Sequence, residues 1–298
     1  MGREKGMIVK RTRTLCPVCN AVLEGNIIDE DGSIWLERTC PEHGPFRELY
    51  WSDSALWHRF EQYESLGRGV ENPNVIAPPD HCPEFCGICN FHKSGTLLAN
   101  IDLTNRCNLD CDFCFANAKA CGFVYEPSFE EIVGMLKNLR SQKPVPAPAV
   151  QFSGGEPTMR EDLTALIRTA KELGFPQVQL ATNGIKLAQS RAFVEELKAA
   201  GLSTVYLHFD GVSRETNFKL SSDEKAVKNC EEVGMGLVLV PTLIKGRNDG
   251  EVGAIIRYAA DHVKVVRGVN FQPIAFTGAA SGEDVQRERI TIPDLLRN

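Results

Sequence analysis

From Leu97 onward, apolar and polar positions alternate between two rhythms. Short apolar runs of strand type are each followed by a segment with apolar residues at helical spacing. The first run is Leu97 to Leu103. A helix is predicted after Ser128, where Ser128 and Glu131 form a capping box and Ile132, Val133, Leu136 and Leu139 make the apolar stripe. Strands are expected at Ala149–Phe152, Gln177–Ala181, Thr204–Phe209, Gly236–Leu243 and Val265–Ile274. The helices between them carry Leu163, Leu166, Ile167 and Ala170, then Phe193, Val194 and Leu197, then Ser222 to Val233. These three stop at Gly174, Gly201 and Gly234, residues suited to helix C-termini. Asp249 is the expected cap of the next helix, which carries Val252, Ile255, Ile256 and Ala259. Strands alternating with helices predict right-handed parallel βαβ units, with the chemistry at the C-terminal strand ends. The pattern alone fits both a six-stranded partial barrel and an open doubly wound sheet. A final helix is expected to begin at Thr291, with Pro293 in its first turn.

The chain before Leu97 has a different pattern. Val22 to Ile28 and Ile34 to Arg38 flank Asp31-Gly32, which predicts a hairpin. The rest of this stretch is irregular and rich in cysteine. The expected division is residues 1–67 as a metal-binding ribbon, 68–96 as a linker, 97–276 as the βα region and 277–298 as the start of a further extension.

Composition narrows the function. The net charge of −6 argues against a broad nucleic-acid footprint. No apolar run reaches the ~18 residues of a membrane span, and the basic N-terminus lacks the apolar core of a signal peptide, so the expected location is cytoplasmic. Ten of the 11 cysteines fall within the first 121 residues, nine of them in tight clusters. Metal-ligand spacing explains that crowding better than disulfide pairing.

Three of these cysteines, Cys107, Cys111 and Cys114, directly follow the first strand as C-x3-C-x2-C. A 4Fe–4S cluster is normally held by four thiolates, so three local ones leave one iron open to a ligand. The second strand ends in Ser153-Gly154-Gly155-Glu156-Pro157-Thr158. Together these motifs resemble those of the radical S-adenosylmethionine superfamily. The resemblance implies a partial (β/α)6 barrel of TIM type. It also implies a cluster whose free iron chelates S-adenosylmethionine, and reductive cleavage to a 5′-deoxyadenosyl radical that abstracts hydrogen from substrate.

The same resemblance assigns cofactor contacts. Gly154 and Gly155 would let the backbone approach the cofactor without Cβ clashes. Glu156, beside Pro157, would accept hydrogen bonds from the methionine ammonium. Phe113 would pack near adenine. Asn183, Asp210 and Gln272, at later strand ends, would contact cofactor or substrate, with Asp210 on the ribose. Asn183 is equally readable as turn chemistry before Gly184. Tyr206, His208 and Asp210 share one strand face, opposite Val205, Leu207 and Phe209. His208 is read first as a satisfied core histidine and second as a substrate contact. Cys121 and Cys230 read as packing residues.

Two cysteine clusters remain. Cys16, Cys19, Cys40 and His43 have the spacing of a zinc ribbon or rubredoxin-like site, with zinc preferred over mononuclear iron. Cys82, Cys86 and Cys89 repeat C-x3-C-x2-C without a preceding strand, which predicts an auxiliary Fe–S site. Its fourth ligand is open among His81, His92, Cys121 and a substrate atom.

The full set of motifs resembles archaeal tetraether lipid synthases and 7,8-dihydro-6-hydroxymethylpterin dimethyltransferases, also called class D radical methyltransferases. Members of that group extend further at the C-terminus and place a cysteine close to the position of Thr96, where this chain has Leu97 and Leu98. The group implies a lipid or pterin substrate and a reductant such as ferredoxin or flavodoxin. Carbon–carbon bond formation on lipid chains, with peripheral membrane contact, is the first expectation. Methyl transfer to a pterin is the alternative. A non-catalytic Fe–S or zinc protein would explain the cysteines but not the Gly154-Gly155-Glu156 turn.

Overall fold

The computed structural model describes residues 6–65, 67, 69–78, 87–116, 120, 122–277 and 285–297. The N-terminal region is larger than one hairpin. It is a four-stranded antiparallel meander of β1 (Met7–Leu15), β2 (Val22–Glu30), β3 (Ser33–Cys40) and β4 (Gly44–Trp51), followed by α1 (Ser54–Glu61). The pattern missed β1 because its Lys-Arg-Thr-Arg-Thr run has no buried face: no β1 residue is buried, and pairing to β2 holds it. Asp31 and Gly32 both have positive φ, the left-handed backbone that the β2–β3 turn requires. Ile27, Ile28 and Ile34 are the buried apolar residues around that turn.

The βα region follows the predicted order. Its strands are β5 (Leu98–Asp102), β6 (Ala149–Ser153), β7 (Gln177–Thr182), β8 (Thr204–His208), β9 (Leu237–Val240), β10 (Thr242–Leu243), β11 (Val266–Val269) and β12 (Gln272–Pro273). Its helices are α2 (Phe129–Arg140), α3 (Leu163–Glu172), α4 (Ile185–Gln189), α5 (Arg191–Ala199), α6 (Leu220–Val233) and α7 (Val252–Asp261), with α8 (Val285–Glu288) and α9 (Ile292–Arg297) after them. Six strands form one parallel sheet in the order β11-β9-β8-β7-β6-β5. Sequential neighbours are what a one-directional barrel winding gives; a doubly wound sheet would reverse its strand order.

Several boundaries differ from expectation. The fifth and sixth expected strands each split in two. Pro241, which has no N–H to donate, separates β9 from β10, and β10 pairs instead with β12. The fourth helix starts at Leu220 rather than Ser222. Asp249 does not cap α7: its carboxylate accepts from Gly246 N–H at 2.8 Å, and a short turn intervenes before Val252. At Ser128 the capping box is present as expected. Thr291 lies one residue before α9, and its hydroxyl and N–H both donate to the Asp294 carboxylate.

The main core lies between the sheet and its helices. Val150, Phe152, Val178, Leu180, Val205, Leu207 and Phe209 are fully buried against Ile132, Leu136, Leu166, Ile167, Val194 and Leu197. Cys230 is buried in this core, and burial pushes its thiol up to about 12, as befits a packing residue. The alternate strand residues face the barrel interior.

Arg160 ties the ends of this layer together. Its guanidinium donates to Leu103 O at 3.0 Å and Pro127 O at 2.6 Å, and pairs with the Asp162 carboxylate. Arg160→Met should therefore cost about 2–4 kcal/mol in denaturant unfolding, since both carbonyls lose their charged donor. The hydrogen bond from Arg160 holds the Asp162 carboxyl below its usual range. A lowered folded pKa means that its stabilisation is complete above ~3.9 and lost as pH falls through the folded value. Asp162→Asn should flatten the acid limb of the stability profile.

Candidate active site

The cysteine loop leaves β5 and is fixed by backbone before any cofactor is considered. Gly155 N–H donates to Thr104 O at 2.7 Å, and Glu156 N–H donates to Arg106 O at 2.8 Å. Gly154 has φ +127°, and a Cβ there would lie 2.3 Å from Thr104 O. A Cβ on Gly155 would lie 2.2 Å from Arg106 O. Both line the cavity, and their missing side chains make room for residues 104–106, the chain segment that leads into Cys107.

Cys107, Cys111 and Cys114 stand half-buried at the rim of a cavity of about 360 Å³. Leu109 N–H donates to Cys107 Sγ at 3.4 Å. Burial, then the charges of Cys107, Cys114 and Asp210, push the Cys111 thiol up to about 11. A cationic partner would reverse that balance at Cys111. Among the described residues, only Cys16, Cys19, Cys40 and His43 bring three or more ligand atoms within 4.8 Å of one another. The Cys107 set is wider, which suits a cluster of several irons rather than one ion.

Glu156 is 1% exposed and acts as a hub. Its Oε1 accepts from Thr158 N–H, Thr158 Oγ1 and Thr182 Oγ1, and its Oε2 from Asn183 N–H at 2.8 Å. A carboxylate has about four acceptor positions, two on each oxygen, so Oε2 keeps one for a ligand. Thr158 and Thr182, absent from the sequence assignments, are what hold this carboxylate. Pro157 is buried at the start of the short turn after Glu156. Asn183 lines the cavity, and its amide bridges to the cysteine loop through Asn108 Oδ1 at 2.7 Å. Its Oδ1 also accepts from Ile185 N–H, so the turn reading and the site reading of Asn183 hold together.

On the opposite wall, Phe113 meets His208 edge-to-face with centroids 6.1 Å apart, and both line the cavity. His208 is thus a partnered histidine at a cavity wall rather than in the core. Its Nε2 lies 2.8 Å from Asp210 Oδ2. Asp210 is buried, and its other oxygen accepts from Thr242 N–H at 3.0 Å. Beneath β8, Lys219 donates to His208 O and pairs with the buried Asp223 at 2.7 Å. Burial raises the Asp223 carboxyl against the opposing pull of Lys219. Gln272 lines the cavity from β12. Asn100 and Gln151 line its lower part and were not singled out in the sequence, though strand alternation marks both as inward-facing polar positions.

In the ribbon, Cys16 Sγ lies 3.8 Å and Cys40 Sγ 3.5 Å from His43 Nδ1, and Cys19 Sγ lies 3.9 Å from Cys40 Sγ. Burial raises the Cys16 thiol, but hydrogen bonds from the Cys19 and Val18 N–H groups and the neighbouring thiols outweigh it and bring it down to about 7. The donor set and its convergence fit a tetrahedral ion. Of the second C-x3-C-x2-C, Cys89 is buried and bridges to Val75, whereas His81, Cys82 and Cys86 lie outside the described residues, as does Cys121.

Residues 101–259 match the family model described as the radical SAM superfamily. Residues 8–52 match the one described as the HMPTM N-terminal zinc ribbon domain. The chain is 51% identical over 295 residues to 7,8-dihydro-6-hydroxymethylpterin dimethyltransferase of Methanocaldococcus jannaschii, an alignment covering 97% of this chain and 58% of that protein. It is 36% identical over 211 residues to Fe-coproporphyrin III synthase of Methanosarcina barkeri, covering 67% of this chain and 50% of that protein. Among solved structures, methylornithine synthase aligns with TM-score 0.47 and 14% identity, over 65% of this chain and 58% of that one. The chain thus spans between 50% and 58% of the length of these two curated relatives.

Two outcomes are expected from the site geometry. Gly155→Ala should displace residues 104–106 and strip most iron from the Cys107 set while leaving zinc in the ribbon, as metal analysis of the purified variant would read. Glu156→Gln turns an N–H2 toward the Asn183 N–H or the threonine hydroxyls and should weaken S-adenosylmethionine binding by about tenfold or more. Equilibrium binding to the iron-loaded variant checks this.

Proposed function

Because this chain belongs to the radical S-adenosylmethionine superfamily, whose members use a 4Fe–4S cluster and S-adenosylmethionine, we propose that it directs that chemistry to a pterin, as a methyltransferase of the 7,8-dihydro-6-hydroxymethylpterin class. The observation that carries this reading is the 51% identity to the pterin dimethyltransferase, which runs through both ribbon and barrel. The comparisons therefore favour the pterin alternative over lipid-chain coupling, the first expectation. Among the described residues, no helix is long and apolar enough to cross a membrane.

When bound, the cluster supplies the electron that cleaves S-adenosylmethionine to a 5′-deoxyadenosyl radical. The protein's own residues bind and orient. Cys107, Cys111 and Cys114 are the cluster ligands. Glu156 offers its remaining Oε2 position to a cationic group such as the methionine ammonium. Asn183 joins that carboxylate to the cysteine loop. Phe113 and His208 form a wall for an aromatic ring, with Asp210 holding the imidazole. Asp210 in turn braces β10, so its proposed ribose contact would need a second role for a carboxylate already bonded on both oxygens. Cys16, Cys19, Cys40 and His43 hold zinc, and Cys82, Cys86 and Cys89 an auxiliary Fe–S cluster. A ferredoxin- or flavodoxin-type protein is the reductant.

The test is anaerobic incubation of the iron-loaded chain with S-adenosylmethionine, dithionite, 7,8-dihydro-6-hydroxymethylpterin and a methylene-carrying reduced pterin as separate one-carbon donor, because the S-adenosylmethionine cleaved to 5′-deoxyadenosine keeps its methyl on the released methionine. The expected result is 5′-deoxyadenosine together with a pterin heavier by a methyl group. An intact cluster without 5′-deoxyadenosine would overturn the enzymatic reading. 5′-Deoxyadenosine with an unaltered pterin would overturn the substrate. Replacing Cys107, Cys111 and Cys114 together by Ala should abolish 5′-deoxyadenosine while zinc stays in the ribbon.

A further inference from the structure

Asn100, Gln151, Gln179 and Thr204 are paired in register across β5, β6, β7 and β8. Strand alternation sets them opposite the buried row of Ile101, Phe152, Leu180 and Val205, and so on the barrel's inner face. They form a polar rung across four strands where small parallel barrels pack branched apolar residues. Asn100 and Gln151 line the lower part of the cavity. Gln179 is only 8% exposed. The Oε1 atoms of both Gln151 and Gln179 are buried and accept no hydrogen bond within the protein.

Two buried amide oxygens left unpaired side by side are costly, and such groups in native proteins call for an explanation. The rung above them contains Ala181 and Tyr206, paired across β7 and β8 and also lining the cavity. The next level up holds Asn183 and His208, close to the cysteine loop. Gln151 therefore lies at the end of the cavity remote from Cys107, Cys111 and Cys114, and Gln179 stands behind the lining, beside it on the next strand. A ligand satisfying them must present N–H donors along one edge and be flat enough to lie against Tyr206.

We propose that Gln151 and Gln179 read the N–H edge of the substrate's pyrimidine ring, with Asn100 completing the polar floor. This rests on the pterin reading above and adds the residues that select the ring. The 2-amino-4-oxo edge of a pterin carries adjacent N–H donors beside a carbonyl, and a carboxamide can accept from the former and donate to the latter. Holding that edge at the floor turns the opposite end of the bicycle, which carries the 6-substituent, toward the cysteine end of the cavity. Specificity follows from the unpaired amides themselves: a ring without the amino donors would leave them unpaired again.

The test compares binding of 7,8-dihydro-6-hydroxymethylpterin with that of its lumazine counterpart, in which oxygen replaces the 2-amino group. The iron-loaded full chain with S-adenosylmethionine is used, under anaerobic calorimetry. Wild type should prefer the pterin by about tenfold or more. Gln151→Leu and Gln179→Leu should each bring that ratio toward one by weakening pterin. A variant that keeps both the affinity and the ratio overturns the proposal, as does one that loses S-adenosylmethionine and pterin affinity equally. If neither variant folds, the wild-type ratio still decides, because equal binding of the two rings overturns the proposal and leaves the pterin reading standing. Wild type that cleaves S-adenosylmethionine yet binds neither ring overturns the pterin reading, and this inference with it.

Discussion

Two backbone hydrogen bonds, from Gly155 to Thr104 and from Glu156 to Arg106, fasten the end of β6 to the loop that carries the cysteines. They form only because residues 154 and 155 lack Cβ atoms, each of which would collide with a backbone carbonyl. That contact sets where Cys107 begins and where the Glu156 carboxylate emerges. Thr158, Thr182 and Asn183 then close on the carboxylate, and Asn183 returns to the cysteine loop through Asn108. The ends of β5, β6 and β7 are thereby one hydrogen-bonded unit. A half-buried set of thiols needs such a frame, since the groups that bind a cluster are also the groups that repel one another when ionised.

The same unit explains how one cavity can have two characters. Its rim, near the cysteines, is built by loops pinned to one another through backbone and carboxylate. Its floor is built by strand residues whose order is fixed by register alone. Between them lie Phe113, Tyr206 and His208, whose rings give flat walls. Rim and floor can therefore serve different parts of a ternary complex, with cofactor geometry insulated from the residues that face the substrate.

The ribbon and the barrel are joined by polar contacts far apart in sequence. Ser52 and Thr291 share Asp294, Arg289 reaches Glu48, and Arg297 reaches Asp53. Arg247 links Asp112, within the cysteine loop, to Glu288. The segment after the barrel thus touches the ribbon directly and the cysteine loop through Arg247. Such charged contacts position elements more than they stabilise them.

The sequence by itself determined the local chemistry and the repeating architecture. Period-two and helical apolar patterns marked the parallel strands and their helices, because one face of each element must be buried. Cysteine spacing marked the candidate metal sites, because ligands to one centre must be near neighbours along the chain or be brought there by a hairpin. What only the tertiary structure decided is what depends on a second segment. Strand β1 has no buried face and exists through pairing. The reason for Gly154 and Gly155 lies in residues 104–106, some 50 positions earlier. Glu156 was legible as an acid beside a turn, but its three partner residues come from that turn, from the last residue of β7 and from the residue after it. The floor amides were legible one by one as polar inward positions. That Gln151 and Gln179 are neighbours with buried, unpaired side-chain oxygens follows from register, which no single strand encodes.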